Sequence, residues 1–229
     1  NTSQIDGRDG TIEMEDIDGH ATLLLDGSAV YGRDDPELGW LEHFHRRILP
    51  LASGHIVLID DFYVRDDRPE ASVAEYWYTH PWEPGFDPED CLHQDKWVDR
   101  YVAESTLDLI PACSGLENTA SESAGRIEAI AMEGGQFVDD GEISFVNRLD
   151  DLVTRSRFIW TPNTPVRRDL RLFALLAETS AEMLPSAEWS WVECADDACA
   201  VLTLDGLDRL MLGFSDDGVT YRLTTIVDL

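Results

Sequence analysis

Apolar residues recur at every second position through most of this chain. Such segments include 21–26 (ATLLLD), 45–51 (HRRILPL), 55–64 (HIVLIDDFYV), 72–79 (SVAEYWYT), 126–132 (RIEAIAM), 152–160 (LVTRSRFIW), 170–178 (LRLFALLAE), 199–204 (CAVLTL) and 219–227 (VTYRLTTIV). Period-two patterning predicts β-strands, and the turn formers between them, Asp26-Gly27, Asp140-Gly141, Asp205-Gly206 and Asp217-Gly218, predict antiparallel connections. In the stretch 55–64, His55, Val57, Ile59, Asp61 and Tyr63 point one way, and Ile56, Leu58, Asp60, Phe62 and Val64 the other. Both sets are largely apolar. Such a strand belongs inside a sheet covered on each side, so the expected fold is an all-β, antiparallel, multi-sheet sandwich. An aromatic strand, 72–80, returns from it and ends in His-Pro-Trp. Helical periodicity is best sustained over 88–103, while 179–185 (TSAEMLP) allows a single turn at most. The polar, apolar-poor run 117–125 reads as an exposed loop between two strand-rich halves of one domain spanning 1–229.

Charge changes the picture most. The 46 Asp and Glu against 17 Lys and Arg give a formal net charge of -29, and Lys96 is the sole lysine. Nucleic acid and anionic membranes are thereby excluded as expected partners. A hydrophobic fraction of 43% argues for a folded body rather than acidic disorder. Self-repulsion of this size is relieved by salt, where the Debye length falls to ~3 Å at 1 M, so a salt-loving source is expected. No apolar run approaches the ~20 residues a membrane helix needs. The chain opens at Asn1 and shows no signal-peptide pattern, which suggests a processed chain or a fragment.

The four cysteines form no CxxC pair. In 191–202 (WVECADDACAVL) a two-residue Asp196-Asp197 turn would set Cys194 opposite Cys199, within reach of a cross-hairpin disulfide. Cys91 and Cys113 offer no such geometry.

Candidate chemistry is sparse. His43, His45 and His80 gather with Asp60 and Asp61 if their strands pair, giving a metal or acid/base cluster; the competing expectation is exposed histidines and a hydrogen-bonded strand-end aspartate. Asp60 and Asp61 lie on opposite faces, so they make no carboxylate pair for glycoside hydrolysis, and at most one should be buried. Tyr76, Trp77, Tyr78, His80 and Trp82 are candidate sugar contacts, because aromatic faces stack on pyranose rings; the same residues also read as sandwich core. Arg46, Arg47, Arg155 and Arg157 offer bidentate forks for a uronate or sulfate, or for local ion pairs. No phosphate loop, nucleophile elbow, HExxH helix or EF-hand loop is present.

The segments 19–28 (GHATLLLDGS), 45–64 (HRRILPLASGHIVLIDDFYV) and, more loosely, 155–178 (RSRFIWTPNTPVRRDLRLFALLAE) resemble, in order and type, the C-terminal β-sandwich region of the heparinase II/III family of polysaccharide lyases. That resemblance implies β-elimination on uronate-containing glycans: proton removal at C5, neutralisation of the adjacent carboxylate, and protonation of the leaving oxygen. It also implies an N-terminal α-helical toroid supplying most catalytic groups, so that this chain alone should not cleave polymer, and it nominates no catalytic residue here. His20 matches the family's histidine that helps hold a structural zinc, although Ala21 replaces the usual asparagine. Export from the cytoplasm fits such a lyase. The alternative is a noncatalytic glycan-binding or scaffolding sandwich. An acidic polymer and an acidic protein repel each other at low salt, so the lyase reading and the salt-loving reading are linked.

Overall fold

The computed structural model describes residues 9–32, 37, 39–78, 97–102, 104–111, 124–146, 152–179, 181–205 and 209–229. Among the described residues, fifteen strands run in chain order: β1 Thr11–Ile17, β2 His20–Asp26, β3 Leu41–Pro50, β4 Ile56–Val64, β5 Glu75–Tyr78, β6 Trp97–Val102, β7 Thr106–Pro111, β8 Ala124–Ala131, β9 Gln136–Val146, β10 Leu152–Thr161, β11 Arg168–Glu178, β12 Ala187–Val192, β13 Ala198–Leu204, β14 Arg209–Asp216 and β15 Tyr221–Asp228. They form an eight-stranded sheet (β1-β2-β3-β4-β11-β8-β7-β6), a three-stranded sheet (β5-β10-β9) and a four-stranded sheet (β12-β13-β14-β15). All pairings between these strands are antiparallel, as the alternation and turn residues predict. The β1–β2 hairpin turns on Asp18 (φ 53°) and Gly19 (φ 87°), the paired left-handed residues that a two-residue turn of this twist needs.

The doubly apolar strand β4 lies inside the large sheet between β3 and β11. One face, with Val57 and Ile59, joins Leu170, Leu172 and Ala174 of β11 against Leu202, Leu212, Phe214 and Ile226 of the four-stranded sheet. The opposite face, with Leu58 and Phe173, packs against Phe137, Phe158 and Trp160 of the three-stranded sheet. The large sheet is therefore a middle layer, covered on both sides, and this explains why β4 and β11 carry no polar face. Val57, Ile59, Leu170 and Leu172 have no exposed surface; each such burial contributes roughly 1.5–3 kcal/mol.

Three expectations need correction. The aromatic return strand does not join β4's sheet: β5 pairs with β10, Trp77 opposite Phe158, and so belongs to a covering layer. Within the expected helix 88–103, Trp97–Val102 is the edge strand β6, because pairing with β7 supplies hydrogen bonds that a short helix with Trp, Tyr and two Val would gain less from; 88–96 and 103 fall outside the described residues. Of the expected loop 117–125, Ala124 and Gly125 are already in β8, with Ala124 buried, and 117–123 are outside the described residues. A 3₁₀ turn at Ala181–Met183 is the single turn expected there.

At the β1 edge an apolar stripe is left uncovered. Ile12 and Met14 are 70% and 77% exposed, and Met14 faces Leu23 across the pair.

Candidate metal centre and buried charge network

Alternation along β3 sends His43 and His45 to one face of the central sheet and Phe44 and Arg46 to the other. The registers His45↔Asp61 and Arg46↔Asp60 then bring each set against one of β4's two aspartates. Both aspartates are fully buried, where the alternation argument allowed one. Each is tolerated because it meets its own partner: a buried carboxylate is viable only when paired or hydrogen-bonded.

On the side of the four-stranded sheet, His43 Nε2 lies 2.5 Å from Asp61 Oδ2, and the His43 and His45 rings meet edge-to-face at 3.9 Å. Asp61 Oδ2 also accepts from the Tyr221 backbone N–H at 3.0 Å, while Asp61 Oδ1 is buried without a hydrogen-bond partner. Burial pushes the Asp61 carboxyl upward, opposed by His43. Burial, reinforced by His43, lowers His45 to about 4, so its imidazole is neutral at neutral pH. One ligand atom from each of His43, His45 and Asp61 falls within 4.8 Å of the others. Two imidazoles and a carboxylate are a suitable donor set for zinc, and the unpartnered Asp61 oxygen fits a cation there.

His20 is placed differently. It starts β2, and its Nε2 lies 3.8 Å from the Asp228 carboxylate; no three-ligand group among the described residues includes it. His20 thus stands apart from the group formed by His43, His45 and Asp61. His80, the other histidine of the expected cluster, lies outside the described residues.

On the opposite face, Arg46 closes a fork on Asp60, with Nε–Oδ1 at 2.7 Å and Nη2–Oδ2 at 2.5 Å. Arg171, in register with Asp60 from β11, donates through Nε to Asp169 Oδ2 (2.9 Å) and through Nη1 to Glu75 Oε1 (3.1 Å). Its guanidinium sits over the Phe62 ring at 4.7 Å. Glu75 reaches in from the covering sheet and also accepts from Arg46 Nη2 at 3.2 Å. Asp169, Arg171 and Glu75 were not singled out from sequence. The signal was present in 168–172 (RDLRL), where Asp169 and Arg171, two residues apart, share one face of a strand that is otherwise apolar from Leu170 to Ala177.

Arg46 is thus occupied by Asp60 rather than free to clamp a glycan. Arg47 pairs with Glu15 at 3.0 Å and Arg157 with Asp140, so ion pairing is the duty these arginines show; the Arg155 side chain is outside the described set. Trp77 packs its ring on Phe173, with centroids 5.2 Å apart, and its indole N–H is buried, which agrees with the core alternative for this residue. Tyr76 and Tyr78 are placed on β5 by their backbone alone, and Trp82 lies outside the described residues.

Cys194 and Cys199 are joined in a disulfide with a Cα–Cα distance of 6.1 Å. The pairing is as expected, but β12 ends at Val192 and β13 begins at Ala198, which opens a five-residue loop, 193–197, in place of a two-residue turn. Cys194 reaches across from the loop. Cys91 and Cys113 are outside the described residues.

Neither a protein-family model nor a curated protein matches this sequence. Solved structures do. A crystal structure of heparinase III superimposes with a TM-score of 0.53 at 8% identity, over 90% of this chain and 27% of that one. A second heparinase III, with methylated lysines, gives 0.59 at 9% identity, over 91% and 27%. The chain has the fold of a portion of heparinase III. A heparan sulfate lyase mutant from Pedobacter heparinus, HepC, matches over 97% of this chain and 28% of its own, with a TM-score of 0.52 at 12% identity. The chain spans just over a quarter of these heparinase and lyase chains.

Proposed function

We propose that this chain is the β-sandwich module of a polysaccharide lyase of the heparinase II/III type, which acts by β-elimination on uronate-containing glycans outside the cytoplasm. The observation that carries the reading is the match of almost the whole chain to just over a quarter of heparinase III. Catalytic groups for proton removal and leaving-group protonation belong, on this reading, to an α-helical toroid upstream. Two features agree with an accessory role. The buried acids and bases of the sandwich are engaged with one another, and the Ile12, Met14 and Leu23 stripe offers an apolar face for more protein.

The test is ultraviolet absorbance of the unsaturated uronate product when candidate polymers are mixed with the toroid-containing protein, and separately with residues 1–229, in about 1 M salt to screen the net charge. The longer protein should raise the absorbance and 1–229 should not. No rise with any uronate polymer would remove the enzyme assignment.

We further infer that zinc, when bound, is held by His43, His45 and Asp61 in a structural role. It would supply the cation that the Asp61 carboxylate otherwise lacks, and it would fasten β3 to β4 close to Tyr221 of the four-stranded sheet. Metal analysis after dialysis against zinc should find close to one equivalent in the wild type. His43→Ala should lower zinc affinity by about 10–100-fold or more, as loss of even an outer-shell partner does. Undiminished zinc in His43→Ala together with loss in His20→Ala would return the site to His20.

A further inference from the structure

The network between the central and three-stranded sheets holds three carboxyl groups, Asp60, Asp169 and Glu75, against two guanidinium groups, Arg46 and Arg171. The Asp60, Asp169 and Arg171 side chains have no exposed surface, Glu75 has 11% and Arg46 31%. With every group ionised, this largely buried cluster carries one uncompensated negative charge, an arrangement that favours binding a proton.

Geometry says which group takes it. Asp60 occupies the Arg46 fork, and Asp169 receives Arg171 Nε together with the Glu133 backbone N–H at 3.1 Å. Glu75 has one terminal N–H from each arginine, and its Oε2 shares Arg46 Nη2 with Asp60 Oδ2. Two carboxylates crowded onto one donor repel each other unless one of them is protonated. A Glu75 hydroxyl can donate to Asp60 while the Glu75 oxygens accept from Arg46 and Arg171, which leaves each acid with a partner. Burial, then the Asp60 charge, pushes the Glu75 carboxyl well above its ordinary range, against the pull of both arginines.

We propose that Glu75 is a proton-operated latch: as a neutral acid it fastens the β5–β10–β9 sheet to the central sheet, and on ionising it loosens β5. The groups facing Glu75 are Arg46 from β3, Asp60 from β4, and Asp169 and Arg171 from β11; Tyr31 lies near Arg46, and the register partner on β10 is the uncharged Trp160. Among these, Glu75 is the group contributed by the covering sheet. Titration there is transmitted to the strand that carries Tyr76, Trp77 and Tyr78. The inference stands whether or not the protein is a lyase.

The sign follows from proton counting. The unfolded glutamate loses its proton near 4.5 and the folded one only at higher pH, so the folded state binds the extra proton and the latch weakens as pH rises above that value. Glu75→Gln mimics the neutral acid and should remove this dependence. Backbone hydrogen exchange of residues 75–78, corrected for intrinsic rates, should show the wild-type to Glu75→Gln protection ratio falling with pH, by up to about tenfold per unit while the proton is being lost. A ratio that is flat or rises with pH overturns the latch. The Glu75 side-chain carboxyl carbon shift in wild-type protein gives a second answer if the variant fails to fold: a protonated value persisting at pH 6 or above, roughly 1.5 units beyond the free glutamate, supports it, and an ionised value there overturns it.

Discussion

Arg171→Met is expected to destabilise the protein by about 3–5 kcal/mol, the range for breaking a buried ion pair from one side. The guanidinium has no exposed surface and is the partner of both Asp169 and Glu75. Without it, Asp169 keeps the Glu133 N–H and Glu75 keeps Arg46. The methionine stem preserves much of the contact with Phe62, so the loss reads charge more than volume. Urea unfolding at high salt measures it. Replacing Asp169 by Asn at the same time should return part of the loss, because the acid stranded by the missing guanidinium is then neutral. A cost below about 1 kcal/mol, the range of exposed ion pairs, would mean that water reaches the network.

A comparable loss, roughly 3–5 kcal/mol, is expected for Phe173→Ala, the usual range for deleting a buried aromatic side chain. Phe173 is fully buried on β11 and touches three rings of the covering sheet: Trp77 at 5.2 Å, Trp160 at 5.8 Å and Phe137 at 6.5 Å between centroids. Its removal opens a cavity at the meeting point of two sheets that cannot close without moving one of them. Trp77→Ala tests the neighbouring question. If Trp77 serves the core, the variant loses stability and leaves binding of any glycan ligand of the full-length protein unchanged once it is folded. Weakened glycan binding at full stability would restore Trp77 as a sugar contact.

Acidity and fold act at different levels here. The net charge of -29 bears on solubility and on encounters with charged polymers, not on which strands pair. The described interior nevertheless contains Arg47 and Arg171, with Arg46 half-buried beside them, each against a carboxylate. In a chain so short of cations, placing arginines where their carboxylate partners are desolvated puts them where each interaction is least screened.

Period-two alternation by itself determined that the chain is all-β and antiparallel, and the two apolar faces of 55–64 determined that a sheet had to be covered on both sides. The cysteine spacing likewise pointed to the Cys194–Cys199 bond. These are local facts: side-chain direction alternates along a strand whatever its partner is. Tertiary structure alone decided that β5 joins β10 instead of β4, because short aromatic strands fit many edges and only the whole core selects among them. It also decided that Trp97–Val102 is a strand, where local propensity was outweighed by pairing with β7. The histidine and aspartate cluster was half legible: sequence named His43, His45, Asp60 and Asp61 but could not give their register. A shift of one residue on β3 would have exchanged Asp60 for Asp61 as the histidines' partner. The Glu75 latch was not legible at all, since Glu75, Asp60 and Arg171 are far apart in the chain and meet only when two sheets stack.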